Sequence, residues 1–180
     1  QDLSLRRIPT GWTAESPRKE ITPDFEYNLR GGPDSRGSFS ISADHRSGLF
    51  GWFQKSISVE GGQYYEFSAL QRTKNLKHPR RTAVARVLWR DADGNRVKHD
   101  FTSDASYASG ARPGAEPEFP PLVDTLDNGW SLIQGTYRVP STATQGIIEL
   151  SYRWEPRGKV EWAQVALRKT EAPPARKVKL

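Results

Sequence analysis

Between residues 146 and 154 apolar and polar side chains alternate without a break. Ile148, Leu150, Tyr152 and Trp154 fall on one parity, Glu149, Ser151 and Arg153 on the other. Alternate residues of an extended strand project to opposite faces, so this segment buries one side and wets the other only as a β-strand. The same period of two recurs along the chain, and the helical period is almost absent. Residues 38–43 set Phe39, Ile41 and Ala43 on one face; residues 52–59 set Phe53, Ile57 and Val59, interrupted by Lys55. Residues 64–72 oppose Tyr65, Phe67 and Ala69 to Glu66, Ser68 and Arg72, and residues 82–90 oppose Ala83, Ala85, Val87 and Trp89 to Val84, Arg86, Leu88 and Arg90. Residues 130–139 offer Ile133, Tyr137 and Val139 to a core, with Trp130, Gln134 and Arg138 opposite.

Turn chemistry punctuates these runs. Gly61 and Gly62 suit a positive φ. The Asp-Ala-Asp-Gly-Asn stretch at 91–95 predicts a hairpin that returns along 96–102. Residues 156–158 turn the chain into a last strand, 159–168. There Val160 and Trp162 fall on one parity but Val165 and Leu167 on the other, which a β-bulge near Ala163 reconciles. Many short strands with one apolar face each predict an all-β chain: a two-sheet antiparallel β-sandwich. Parity places Trp89, Tyr152 and Trp154 in its core and leaves Trp12 and Trp162 open. The expected organisation is a lead-in with an N-terminal strand at 1–24, the sandwich at 25–170 and a Pro-rich linker at 171–180, toward a further domain. Residues 103–129 are rich in Gly, Pro, Ser and Ala, and too long for a bare connector.

Composition removes several functions. With no cysteine among 180 residues there is no disulfide framework, thiolate nucleophile or Cys zinc site. The absence of Met and the start at Gln1 and Asp2 suggest a processed terminus and a secreted or periplasmic protein. No stretch approaches the roughly 20 apolar residues of a membrane span, so no membrane partner is expected. The net charge is +6, but it is local. Arg72, Lys74, Lys77, Arg80 and Arg81 share one segment, and Arg176, Lys177 and Lys179 share the tail. That pattern ranks a nucleic-acid partner last, because single-strand binders interleave basic groups with exposed aromatic rings.

With the strands in place, a resemblance appears. The run from Gly51 to Leu70 (GWFQKSISVEGGQYYEFSAL) resembles the central hairpin of galactose-binding-like jelly-roll carbohydrate-binding modules. Residues 83–94 resemble their next strand and Asp-Gly hairpin; 129–140, 147–154 and 160–167 resemble their closing three strands. The resemblance implies a jelly roll that binds a polysaccharide or oligosaccharide. The same features, with the Pro-rich tail leading into Arg-Lys-Val-Lys-Leu at 176–180, also resemble a β-sandwich placed before a carbon–nitrogen hydrolase (nitrilase-like) domain in some bacterial proteins, which implies a C-terminal enzyme domain of the same chain as partner. Many such modules carry an Asp pair in the last strand that ligates a structural calcium. Here Ala163 and Gln164 stand at the matching positions, so no cofactor is expected.

The chain offers no enzyme constellation. His45, His78 and His99 lack metal-ligand spacing, no nucleophile elbow or phosphate-cradling loop is present, and Glu116 with Glu118 is a weak glycosidase pair. Sugar binding needs an aromatic platform for the C–H face of a ring and planar polar groups for its hydroxyls. The non-core parity supplies Trp52, Glu66, Arg72, Arg86, Arg90, Trp130, Gln134, Glu149 and Arg153 as carbohydrate-binding candidates on one sheet face. Their arginines predict a preference for acidic polysaccharide. Two other readings compete: Glu66 with Arg86 and Glu149 with Arg153 as surface ion pairs, and a structural domain that docks on its enzyme without binding sugar.

Overall fold

The computed structural model describes residues 8–174. Gln1, Asp2 and the tail cations Arg176, Lys177 and Lys179 lie outside the described residues. Ten strands form two antiparallel sheets: β1 (Trp12–Glu15), β2 (Asp24–Asn28), β3 (Ser38–Ser42), β4 (Phe50–Ser58), β5 (Tyr64–Lys74), β6 (Ala83–Arg90), β7 (Leu122–Thr125), β8 (Ser131–Arg138), β9 (Gln145–Arg153) and β10 (Lys159–Thr170). One sheet has four strands in the order β1-β4-β9-β6; the other has six in the order β2-β3-β10-β5-β8-β7. Apart from the β2–β3 and β7–β8 pairs, consecutive strands cross between sheets, as in a jelly roll. A 3-10 turn at Lys19–Ile21 and a short helix, α1 (Pro79–Thr82), are the helical elements of the described residues.

The core lies between the sheets and follows the alternation. Phe53, Val87, Trp89, Ile148, Leu150 and Tyr152 enter from the four-stranded sheet, and Phe39, Ile41, Phe67, Val160, Trp162 and Leu167 from the six-stranded one. Trp162 is fully buried, and half-buried Trp12 packs on Phe39 with ring centroids 4.5 Å apart. Lys55, the interruption in β4, lies opposite Trp12 and sets its ammonium 5.9 Å from that ring, so the stem packs while the charge stays wet.

The bulge expected near Ala163 is present. Pairing with β5 shifts between Ala163 and Ala166, and Gln164 takes φ 51°. The extra residue returns Leu167 to the core side. The hairpin turn at 91–95 also forms, with Asp91 Oδ1 accepting from the N–H groups of Asp93 and Asn95. The return strand does not. After the Arg90–Arg96 bridge, residues 96–102 make only one further isolated ladder contact, Lys98 with Gly114, and one parallel bridge follows at Ser103. The edge of β6 is instead paired by Glu118, bonded both ways to Val87 at 2.9 Å. The 103–129 segment thus contributes pairing to both sheets, since β7 also belongs to it.

Trp154 is the main departure. It is 52% exposed. Its φ of 72° turns it away from the side that Tyr152 occupies, so parity counted along a regular strand fails one residue past the end of β9.

Candidate functional site

Directly paired residues of antiparallel strands project to the same side, so register lays out the outer face of the four-stranded sheet in rows. Glu15, Trp52, Ser151 and Val84 form one row; Thr13, Gln54, Glu149 and Arg86 form the next. Ser56, Ile147 and Leu88 follow, then Ser58, Gln145 and Arg90. Beyond the Trp52 row lie Phe50 and Arg153.

The side chains of these rows are tied together. The Trp52 indole N–H donates to Gln54 Oε1 at 3.2 Å, and the Trp52 and Phe50 ring centroids are 5.2 Å apart. Arg86 Nε donates to Glu149, whose side chain is nearly buried although it sits on the outer face. The terminal nitrogens of Arg86 have no protein partner among the described residues. Ser151 is committed, donating its hydroxyl to Val84 O at 2.8 Å. Arg153 lies 5.5 Å from the Phe50 ring, and its Nε is buried without a hydrogen-bond partner. Burial and then the Arg86 charge lower its pKa, with Glu149 opposing; a guanidinium stays protonated at neutral pH regardless. The face therefore offers two adjacent rings, two amides, two carboxylates and three guanidinium groups, a set suited to packing a sugar ring and bonding its hydroxyls.

Of the residues read from sequence, Trp52, Arg86, Arg90, Glu149 and Arg153 come together here. Glu66, Arg72, Trp130 and Gln134 do not. They belong to the six-stranded sheet and its lead-in, on the opposite side of the sandwich, so the nine do not share one face. Glu66 stands across from Arg168 and Thr136 and lines a cavity of about 620 Å³ beside the bulge. Arg72 is bonded to Glu161 through Nε and Nη2 at 2.9 and 2.8 Å. Trp130 has the outward parity but is 2% exposed. It packs with Leu70 and Ala163 under half-buried Leu126 and Leu132, with the Arg72 guanidinium 4.7 Å from its ring. A tight turn closes that small core, Leu126 N–H donating to Trp130 O at 2.7 Å. Neither surface pair expected from sequence forms: Glu66 and Arg86 lie in different sheets, and Glu149 pairs with Arg86, not Arg153.

Sequence reasoning missed Gln54 and Phe50. Gln54 shares its parity with Trp52 and was legible. Phe50 lay outside the expected strand, which β4 extends by two residues.

The calcium positions do not fit the ion. Ala163 is buried against Trp130, and Gln164 Nε2 donates to Asp34 Oδ2 at 3.0 Å. One carboxylate and one amide fall short of a calcium ligand set, and the described residues hold no group of three potential metal ligands. Nor do Glu116 and Glu118 form a reacting pair. Glu116 bonds Arg96, and Glu118 accepts from the Trp89 indole at 3.3 Å with its pKa raised by burial.

No family model and no curated protein sequence matches the chain. Solved structures do. The enzymatically active domain of bacteriophage CBA120 tailspike protein 4 aligns with a TM-score of 0.61 at 17% identity, over 89% of this chain and 20% of that one. A Clostridium thermocellum xylanase 10B structure, holding a family 22 carbohydrate-binding module and a GH10 module with xylohexaose, aligns with a TM-score of 0.54 at 12% identity, over 94% and 28%. A family 16 carbohydrate-binding module aligns with a TM-score of 0.53 at 10% identity, over 81% and 86%. The chain spans less than a third of the first two. At these identities the shared property is the fold, the β-sandwich jelly roll of carbohydrate-binding modules.

Proposed function

We propose that this chain is a non-catalytic carbohydrate-binding module that holds a polysaccharide on the outer face of its four-stranded sheet. The observation that carries the reading is the placing of Trp52 beside Gln54, Phe50, Arg153 and the Arg86–Glu149 pair. Trp52 packs against the sugar ring; Gln54 and the free ends of Arg86, oriented by Glu149, bond its hydroxyls. In this reading the module serves a larger secreted hydrolase, such as the carbon–nitrogen hydrolase that the tail suggests. Two of its fold matches lie within much longer chains, which supports a modular role.

A preference for acidic sugars belongs to the proposal in weaker form than four shared arginines would give. Arg72 is on the other sheet, and Arg86 is held by Glu149. Arg90, Arg153 and the outer nitrogens of Arg86 face Glu15 and Glu149, a small positive excess. Affinity gels of neutral and acidic polysaccharides test the reading: at least one should retain the chain, and silence across all of them contradicts it.

The docking alternative has its own observation. Phe119, Leu122 and Val123 are exposed at the β7 edge, an apolar edge of the kind that partners cover. A dry interface on that edge in the full-length protein, with no glycan retained, would favour it.

A further inference from the structure

The exposed Trp154 sits where three loops meet. Its N–H donates to Leu49 O at 2.7 Å and its O accepts from Gly48 N–H at 2.9 Å, joining residues 43–49. The Arg157 N–H donates to Asp44 O at 2.7 Å. The next residue, Glu155, reaches into the third loop: its carboxylate accepts from the N–H groups of Lys77 and His78 at 2.6 and 2.8 Å and from the Thr82 hydroxyl at 2.8 Å. Burial pushes the Glu155 pKa up, but those donors outweigh it and hold the group below its usual range. Trp154 is thus fixed in a left-handed backbone conformation that bulky residues rarely take. The indole is half-exposed in a strained but fastened position.

The loops and strand ends that adjoin it carry cations. Lys74, Lys77, Arg80, Arg81 and Arg157 are exposed, and among the described residues none has an ion-pair partner. Lys74 stands directly opposite Lys159, a like-charge pair that a sheet disfavours. The carboxylates nearby are spent: Asp44 is bonded to Arg46 and Glu155 to the loop donors.

We propose that this loop end is a second binding site, taking a negatively charged sugar unit of an acidic polysaccharide. The sugar ring packs on Trp154, and its carboxylate or sulfate is held by the unpaired cations. A single fastened ring fits one sugar unit, whereas a nucleic-acid strand needs a succession of stacking rings. The inference takes from the function proposed above only the class of ligand.

The test uses the 180-residue chain in native gels containing polygalacturonate, dextran sulfate or neutral xylan, with a single-stranded DNA oligonucleotide as a further ligand. Trp154→Gly removes the ring, leaves the charge unchanged and suits φ 72°; Trp154→Asn is the second variant if the first folds poorly. Either should weaken binding to at least one acidic polymer by roughly tenfold, the scale of one lost ring contact, with the melt unchanged. The triple change K77S/R80S/R81S should do likewise, and R30S/R36S, on the loop between β2 and β3, should not. Retention equal to wild type in both Trp154 variants would show plain charge adsorption and overturn the site. So would failure of the parent chain to bind either acidic polymer, or tighter binding to the oligonucleotide. Trp52→Ala reports separately on the sheet face: if glycan binding survives that change intact, the sheet-face reading fails and the loop-end site stands.

Discussion

Trp130→Ala separates a structural ring from a ligand platform. The ring is 2% exposed and closes a small core with Leu70 and Ala163 on the outer side of the six-stranded sheet. Truncating a buried Trp to Ala costs about 3–5 kcal/mol. Two of its neighbours, Leu126 and Leu132, are only half-buried and can settle into the space, which favours the lower end. Loss of the Arg72 contact, at 4.7 Å from the ring, adds about 0.5 kcal/mol at an exposed site. The sum, about 3–4 kcal/mol, corresponds to a fall in Tm of roughly 6–15 °C for a domain of this size. A melt followed by far-UV circular dichroism measures it, and an affinity gel on the same preparation measures glycan retention. A Tm within about 2 °C of the parent, with retention lost, would refute the burial argument and move the binding face to the six-stranded sheet.

Arg86→Ala leaves the nearly buried Glu149 carboxylate without its cation. Because Arg86 is itself partly solvated, the expected cost is about 2 kcal/mol, below the range for a fully buried pair; denaturant unfolding measures it, and Glu149→Gln in the same chain should restore part of the loss. Gly61→Ala would place a Cβ 2.1 Å from Ser141 O, a backbone atom that cannot swing away, so a loss of more than about 2 kcal/mol is expected in the same assay. The Ser141 hydroxyl and N–H, with Arg138, hold the Asp100 carboxyl below its ordinary value of 3.8 against the opposing effect of burial. A carboxyl group whose folded pKa is depressed contributes stability that is present above the unfolded value and lost as pH falls through the folded one. Tm should therefore drop on acidification below about pH 4, and Asp100→Asn should start lower at neutral pH and fall less over that window. An identical acid profile in the two proteins would contradict this.

The sandwich was legible because its strands are amphipathic: β5, β6 and β9 bury the residues that their alternation assigns to a core. The bulge at Ala163 was legible for the same reason, as a break in parity that only an extra residue repairs. What sequence parity does not contain is the sheet to which a strand belongs. Arg72 and Arg86 share an outward parity yet face opposite sides of the molecule, because β5 and β6 cross between sheets. Nor does parity report what covers an outer face. Trp130 points outward and is buried by a turn formed at residues 126–129. Trp154 failed for a local reason: a positive φ just after β9, at a residue type that seldom adopts one. The missed edge pairing by Glu118 lay inside a Gly- and Pro-rich segment with no alternation to read.

Calorimetric titration of Trp52→Ala beside the parent chain, with whichever polysaccharide the parent retains, tests the sheet-face site most directly. Trp52 is half-buried at the surface beside half-buried Phe50, so its loss should leave the melt nearly unchanged. The expected result is a fall in affinity of at least roughly tenfold, the scale of one lost aromatic contact. Unchanged affinity in a folded Trp52→Ala protein would show that the glycan does not rest on the four-stranded sheet.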